Sequence, residues 1–293
     1  MSLLDRVVAE SMGANGLVIN KDLYFKVTSD MYNNIGYNGT ESKCGVTIDG
    51  ENYLLKRQKK DWNNIVTEYV ASNIIKELGG SVHETSIALE NNRFVVLCKD
   101  FTDVYGKIKS MSSISESSID TDASRHDYYF EDILYELSKL KECDLDNVEE
   151  GFLKMYVFDT ILGNPDRHSG NWALYKDRGM YKFAPIFDNG ASLFPRADFS
   201  SIDKDWMYER IFTFPNSKIM FEGRRGRSNY NEVWSSNILP KNIINWALSL
   251  DINKAIDWIN DNHYLTKEAK NFYSTVIKYR FDVLVRREEF IWK

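Results

Sequence analysis

The residues whose types and spacing suggest chemistry lie between Asp166 and Gly190. Asp166 and Asn171 form a D-x-x-x-x-N pattern, and Asp188 begins a D-x-G pattern further along the chain. Transfer of a phosphoryl group from ATP needs a carboxylate that orients or deprotonates the acceptor hydroxyl, and oxygen ligands that hold Mg²⁺ against the phosphates. The pattern therefore predicts a catalytic set of Asp166, Asn171 and Asp188, in which Asn171 and Asp188 bind the metal.

Two other interpretations fit parts of this region. One is a solvated loop, because Asn, Asp and Gly readily form turns. The other is a hydrolase pair of His168 with Asp166, but no serine or cysteine on a G-x-S-x-G turn accompanies it. The two patterns occur together between apolar segments, which favours the catalytic and metal-binding half of a kinase, with H-R-D replaced by Asn-Pro-Asp. Arg167 and His168 are predicted to tie the loop together by hydrogen bonds rather than to take part in the transfer.

The neighbouring elements must hold these side chains in place. A helix predicted over residues 148–162 has apolar side chains inward and delivers the chain to Gly163. Such a helix would fix the catalytic loop rigidly, as a preorganised site requires. A strand pair predicted between residues 172 and 184 returns Asp188 to the neighbourhood of Asn171, so that both can bind the same magnesium cluster.

A polar loop near the N-terminus is the candidate phosphate-binding segment. Residues 31–45 are rich in Asn, Gly, Ser and Thr, and they precede a predicted hairpin with its turn at Asp49–Gly50. Glycine lets backbone N–H groups approach phosphates closely. We therefore predict nucleotide contacts at Gly39 and Lys43. The glycine spacing matches neither common phosphate-loop motif, so a flexible surface loop is the alternative.

An ion pair is predicted next to this loop. Lys56 closes an apolar strand, and Glu68 lies at the margin of the apolar stripe of a helix predicted over about residues 63–78. A lysine in this position can bind ATP phosphates while a helix glutamate holds it. We predict the pair Lys56–Glu68, with Glu68 half-buried, and Lys43 and Glu77 are the alternatives.

Two further strands lead to a predicted hinge. The second strand, residues 94–98, is apolar and feeds Lys99, Asp100 and Phe101. The order of elements places adenine against the backbone there, so Lys99 and Phe101 complete the predicted nucleotide-binding residues. An ordinary buried strand is the alternative.

Composition limits the class of protein. The chain has 293 residues, 43% of them hydrophobic and 27% charged, as in ordinary globular proteins. No apolar run reaches the ~18 residues of a membrane span, and the first residues do not resemble a signal peptide. The three cysteines are odd in number and far apart in the sequence, so a disulfide framework is not expected and a reducing cytoplasm is the predicted location. Secretion or delivery to a host stays open. A net charge of −6 argues against direct nucleic-acid binding, and the basic run at residues 224–227 is the local exception.

The order of elements predicts an α+β, bilobal protein-kinase-like fold. Residues 1–102 would form an N-terminal lobe with an antiparallel sheet that binds ATP. Residues 103–293 would form a helix-rich C-terminal lobe that carries the catalytic residues.

The segments 164–171 and 184–190 resemble those of HipA-like serine/threonine kinases, and the compact CtkA-like bacterial members are similar in length. The resemblance implies a bilobal kinase that uses ATP and Mg²⁺, with Asp166 catalytic and Lys56 on the ATP phosphates. It implies Asn171 and Asp188 as magnesium ligands. It also implies a protein acceptor with serine or threonine, autophosphorylation of a loop serine near Ser42, and an antitoxin-like protein partner.

These inferences together predict an ATP- and Mg²⁺-dependent serine/threonine kinase that phosphorylates a protein acceptor and itself. Asp-Arg-His-x-x-Asn also resembles phosphoinositide kinases, and D-x-x-x-x-N occurs in small-molecule phosphotransferases. A lipid or small-molecule kinase of the same fold is therefore one alternative. A catalytically idle nucleotide-binding module that recognises a partner is another.

Overall fold

The computed structural model describes most of the chain. The described residues are 15–37, 42–118, 128–199, 202, 205–207, 215–221, 229–236 and 238–286. Gly39 and the basic run at residues 224–227 lie outside them. Among the described residues, no helix has both the length and the apolar character to cross a bilayer.

The first part of the chain forms a five-stranded sheet. Its strands are β1 (Phe25–Val27), β2 (Lys43–Ile48), β3 (Glu51–Arg57), β4 (Thr85–Glu90) and β5 (Arg93–Lys99). The order across the sheet is β1-β4-β5-β3-β2, and every neighbouring pair is antiparallel except β1 and β4. The predicted antiparallel sheet is thus present with one parallel edge pair. Parallel pairing is possible there because the chain between β1 and β4 is long enough for a crossover.

Two tight turns set the register of this sheet. Asp49 and Gly50 join β2 to β3 with φ of 51° and 81°, and Asn91 and Asn92 join β4 to β5 with φ of 48° and 62°. Two-residue turns with both φ positive have a twist that suits a hairpin, and Asn, Asp and Gly tolerate this conformation best. The predicted hairpin turn at Asp49–Gly50 is confirmed.

Helix α1 (Asn64–Glu77) packs against the sheet and also against the helical part. Its apolar residues Val66, Val70 and Ile74 are fully buried, which agrees with the predicted stripe. Glu68 was predicted to be half-buried, but it is 1% exposed. The prediction was wrong because elements distant in sequence cover this face of α1 as well.

The rest of the described chain is mainly helical. Its helices are α2 (Thr102–Tyr105), α3 (Met111–Ser118), α4 (Phe130–Ser138), α5 (Leu145–Leu162), α6 (Tyr230–Ser235), α7 (Lys241–Leu248), α8 (Ile252–Asp261) and α9 (Lys267–Arg280). Its short strands are β6 (Ile108–Ser110), β7 (Tyr128–Tyr129), β8 (Ala173–Asp177), β9 (Met180–Phe183) and β10 (Ile219–Met220). Strands β6, β8 and β9 form an antiparallel sheet in the order β6-β8-β9, and β7 pairs with β10 in parallel.

One set of buried sheet residues shares a hydrophobic core with the helical part, and a second set, which includes Val46 and Leu55, forms a separate cluster. The buried side chains of α1, α5 and α9 belong to the shared core. Tyr69 of α1 lies 5.6 Å from Trp258 of α8 between ring centroids, and its hydroxyl accepts a hydrogen bond from Asn262 at 2.9 Å. This architecture confirms the predicted α+β fold class. The boundary between residues 102 and 103 stays a prediction.

Gly163 ends α5 and starts the loop that carries Asp166. It has φ of 64°, and a Cβ atom there would overlap the guanidinium of Arg280, which is 1% exposed. We expect Gly163→Ala to lower the free energy of unfolding by about 2–4 kcal/mol, because backbone strain and overpacking add. Gly179→Ala is the matched control, since Gly179 also has positive φ but no atom near its added Cβ. Urea denaturation should show a loss of only about 1–2 kcal/mol for the control, and equal losses would contradict the steric argument.

Candidate active site

A lysine between two carboxylates forms the centre of the site. Lys56, at the end of β3, is 4% exposed, and its Nζ lies 2.9 Å from Glu68 Oε2 and 2.9 Å from Asp188 Oδ1. Burial alone would lower the pKa of Lys56, but the two carboxylates outweigh it and hold this pKa well above its ordinary value. The structure therefore contains the predicted Lys56–Glu68 pair, and it adds Asp188 to it.

Glu68 is held by four donors from three parts of the chain. Besides Lys56, the backbone N–H groups of Asn189 and Gly190 donate to it at 2.9 and 3.0 Å. His83 Nε2 lies 2.9 Å from Oε1, and it must donate because a carboxylate can only accept. Burial would raise the pKa of Glu68, but Lys56 and these hydrogen bonds lower it well below its usual range. Glu68 thus stays charged and links α1 to the D-x-G segment.

Asp188 has a backbone conformation that is unusual for a residue other than glycine. Its φ is 60°, and the next two residues are those whose N–H groups bind Glu68. Burial would raise the pKa of Asp188, yet Lys56 and Arg167 lower it below the ordinary value. Its side chain is 36% exposed. An ionised, accessible carboxylate is the ligand that a hard divalent cation prefers.

Arg167 organises the loop from inside. Its side chain is fully buried, and its Nε and Nη2 donate to both oxygens of Asp159 at 2.9 Å. Its Nη1 donates to the carbonyls of Asn171 at 2.7 Å and of Phe187 at 2.6 Å, and Nη2 also donates to Asn189 Oδ1 at 2.7 Å. One guanidinium therefore holds the two predicted metal ligands, Asn171 and Asp188, in neighbouring segments. The predicted structural role of Arg167 is confirmed.

The remaining loop contacts place Asp166 and Asn171. Asn164 Oδ1 accepts from the backbone N–H of Asp166, and Asn171 Nδ2 donates to the carbonyl of Asp166, both at 3.0 Å. Because the amide nitrogen of Asn171 is used in the second bond, its amide oxygen is the atom that could bind a cation. His168 Nδ1 accepts from the N–H of Gly170 at 3.0 Å, as predicted for a residue that ties the loop together. The Asp166 carboxylate is about half exposed and forms an ion pair with Lys218.

The predicted hinge lies at one end of β5. The N–H groups of Lys99 and Asp100 donate to the carbonyls of Glu84 and Asn52 at 2.8 Å. The ring of Phe101 lies 5.9 Å from that of Phe187, the residue before Asp188. The Lys99 side chain pairs with Glu51 on the surface at 2.5 Å rather than entering the site. Phe101 therefore links the end of β5 to the segment before Asp188.

The predicted phosphate loop is only partly described. Tyr37 donates from its hydroxyl to Asp100 Oδ2 at 2.8 Å, so the loop before residue 38 reaches the hinge. Lys43 is half-buried and lies opposite Lys56 in the β2–β3 register. Glu68 is bound by Lys56, so the alternative pairing through Lys43 and Glu77 is not the one observed. The prediction for Gly39 falls outside the described residues.

Glu68, His83 and Cys98 form a second cluster of metal-ligand types. One ligand atom from each lies within 4.8 Å of the others, and all three residues are buried. Lys56 already binds one Glu68 oxygen, while His83 and Asn189 donate to the other. A cation there would have to displace these donors beside an ammonium group. We therefore assign the cluster to the ion-pair network.

Four residues of the site were missed by sequence reasoning: His83, Asp159, Asn189 and Lys218. Asp159 offered a signal, because an acid within the apolar last turns of α5 must find a buried partner. Asn189 is fully buried beside the D-x-G aspartate, and His83 precedes β4. No local pattern distinguishes His83 or Lys218, because their partners are distant in sequence.

Comparison with known proteins adds to this geometry. The HipA-like C-terminal domain family matches residues 35–232, which is more than half of the chain. The chain belongs to the HipA-like family. This HipA-like chain is 29% identical over 266 residues to serine/threonine-protein kinase CtkA of Helicobacter pylori strain J99, with 84% of the chain and 80% of the relative covered.

Solved structures support the same fold for the HipA-like chain. The crystal structure of the Helicobacter pylori proinflammatory kinase CtkA has a TM-score of 0.78 at 28% identity, covering 90% of this chain and 98% of that chain. HipA from a Shewanella oneidensis toxin–antitoxin complex with HipB and operator DNA has a TM-score of 0.57 at 14% identity, covering 99% and 74%. The second likeness shows the fold alone. The predicted bilobal kinase-like fold and the HipA-like resemblance are confirmed.

Proposed function

We propose that this protein is an ATP- and Mg²⁺-dependent kinase that phosphorylates serine or threonine of a protein acceptor. One observation carries the proposal: Lys56 is held between Glu68 and Asp188 at 2.9 Å from each, while Arg167 fastens the segments of Asn171 and Asp188 together. A lysine held by a helix glutamate beside a D-x-G aspartate is the arrangement that positions ATP phosphates in protein kinases. Similarity to CtkA, which is named a serine/threonine kinase, supports the choice of acceptor.

Lys56 and the hinge are proposed to hold the nucleotide. Lys56 would bind the phosphates through its ammonium, with Glu68 maintaining its charge and direction. The backbone N–H groups of Lys99 and Asp100 already donate to backbone carbonyls. We therefore propose the backbone N–H of Phe101 as the hinge group that donates a hydrogen bond to adenine. Lys43 and Gly39 remain proposed phosphate contacts, and Gly39 lies outside the described residues.

Asn171 and Asp188 are proposed to hold magnesium. One amide oxygen and one ionised carboxylate match the hard oxygen ligands that Mg²⁺ takes together with phosphates and water. When bound, the metal neutralises charge on the phosphates. The chain's own contribution is to keep both oxygens in place through Arg167.

Asp166 is proposed to act on the acceptor. Its carboxylate is about half exposed and belongs to a loop fixed by Asn164 and Asn171. It would orient the acceptor hydroxyl and take its proton while the acceptor oxygen bonds to the γ-phosphorus and the bond to the ADP oxygen breaks. Ser42, exposed immediately before β2, is the candidate for autophosphorylation, and an antitoxin-like partner is proposed by analogy with the HipA–HipB complex.

Labelled ATP tests this proposal directly. We expect purified protein with ATP labelled in its γ-phosphate to transfer label to serine or threonine of itself or of an acceptor protein in a lysate. Transfer should require magnesium and should be lost in Asp188→Asn. Mass spectrometry then identifies the modified residues. ATP binding without transfer to any protein, or label only on lipids or small molecules, would contradict it.

A further inference from the structure

A lysine from a distant segment reaches the proposed catalytic carboxylate. Lys218 Nζ forms an ion pair with Asp166 Oδ1, although the two residues lie 52 positions apart. The D-x-x-x-x-N loop itself offers no such cation to an acceptor. Arg167 is fully buried, and its donors are taken by Asp159, by Asn189 and by two carbonyls.

The position of Lys218 is built into the fold. Its neighbours Ser217 and Ile219 are fully buried, and β10, which starts at Ile219, pairs with β7. Ser217 Oγ accepts from the N–H of Ile219 at 3.0 Å, and Ser217 is also hydrogen-bonded to Tyr230. Tyr230 in turn donates to the carbonyl of Asn164 at 2.6 Å. The backbone of Lys218 is therefore tied to the same loop that positions Asp166.

The end of the Lys218 side chain is less constrained than its backbone. The side chains of Lys218 and Asp166 are 33% and 45% exposed. Ion pairs with this much exposure contribute little stability, so the ammonium can exchange partners at small cost. A triphosphate is a stronger attractor, because its terminal group carries more negative charge than one carboxylate.

Phosphoryl transfer needs a cation at this place. Charge in the transition state is spread over the three equatorial oxygens of the transferred group, and lysine or arginine side chains stabilise it. Lys56 lies between Glu68 and Asp188, on the metal side of the site. Within the described part of the chain, Lys218 places a cation on the side of Asp166, where the acceptor would enter.

We propose that Lys218 is a further catalytic residue whose ammonium moves from Asp166 to the γ-phosphate of bound ATP and stabilises it during transfer. This inference rests on the proposed function. In the step, the acceptor oxygen bonds to the γ-phosphorus, the bond to the β-phosphate oxygen breaks, and ADP leaves with that electron pair. Asp166 takes the acceptor proton once Lys218 has moved away.

The test compares Lys218→Met and Lys218→Arg with a matched control, Lys182→Met. Lys182 also pairs with an aspartate, Asp177, and its side chain is 31% exposed. The transfer rate is measured with labelled ATP, and calorimetry gives the dissociation constants of ATP and ADP, each with magnesium. We expect Lys218→Met to reduce transfer roughly 100-fold and to weaken ATP about tenfold relative to ADP. Lys218→Arg should restore much of both because it keeps the charge, and Lys182→Met should resemble the wild type.

The two readouts separate this inference from the proposed function. If the wild type transfers phosphate and Lys218→Met transfers it within threefold of that rate, or loses ATP and ADP affinity equally, the role of Lys218 is overturned. A faster Lys218→Met variant would also overturn it, because the ion pair would then be inhibitory. If the wild type modifies no acceptor but Lys218→Met alone loses its preference for ATP over ADP, the phosphate contact stands and the proposed function fails.

Discussion

Asp166→Asn is expected to reduce phosphoryl transfer by roughly 10²–10⁴-fold, the range for loss of a positioned general base. Asparagine has nearly the same shape and can accept a hydrogen bond, but it cannot take the acceptor proton. The backbone contacts of residue 166 with Asn164 and Asn171 do not involve the carboxylate, so the loop should keep its structure. The measurement is the rate of label transfer at saturating ATP, together with the dissociation constant for ATP.

Asp177→Asn is the matched control for this substitution. Asp177 also pairs with a lysine, Lys182 Nζ at 2.8 Å, and its side chain is 37% exposed compared with 45% for Asp166. Its replacement should leave the transfer rate unchanged within about twofold, since surface ion pairs contribute little. Near-normal transfer by Asp166→Asn would show that another group accepts the proton. A large loss of ATP affinity would show that Asp166 acts in nucleotide binding.

Arg167→Met is expected to lower the free energy of unfolding by about 3–5 kcal/mol, because it leaves the buried charge of Asp159 without its counter-charge. Asn164 Nδ2 still donates to Asp159 Oδ1 at 3.0 Å, but this neutral donor does not replace the guanidinium. Asp159 is fully buried, and Arg167 provides two of its hydrogen bonds. The carbonyls of Asn171 and Phe187 also lose their donor. The variant should therefore lose both stability and the alignment of the proposed metal ligands. Urea denaturation measures the first effect, and the magnesium dependence of ATP binding measures the second.

Two comparison variants make this prediction specific. Lys154→Met removes a surface pair with Glu150, 33% and 54% exposed, and should change the unfolding free energy by no more than about 1 kcal/mol. Arg167→Lys keeps the charge but has no planar fork for both oxygens of Asp159, so it should fall between the wild type and Arg167→Met. If Arg167→Met were as stable as Lys154→Met, the buried network would not support the loop.

Local sequence patterns were sufficient to predict much of the architecture. Positive φ at Asp49 and Gly50 follows from residue types that tolerate it, so the hairpin could be placed from the sequence. The apolar stripe of α1 predicted a helix over about residues 63–78, and the structure has Asn64–Glu77. These features depend on interactions within a few residues, and short-range periodicity and turn chemistry report them directly. The D-x-x-x-x-N and D-x-G patterns could also be recognised from the sequence, because each spans only a few consecutive residues.

The environment of each site residue depended on contacts that span the chain. Glu68 was placed at a helix margin by its sequence, yet it is 1% exposed because His83 and the segment after Asp188 cover it. Lys218 reaches Asp166 across 52 positions, and no period or turn signal connects them.

The sequence by itself therefore determined most of the local elements, and it supplied Asp166, Asn171 and Asp188 as candidates for the proposed chemistry. Only the tertiary structure decided which charges are buried and paired, because burial and partner choice arise when distant segments pack together.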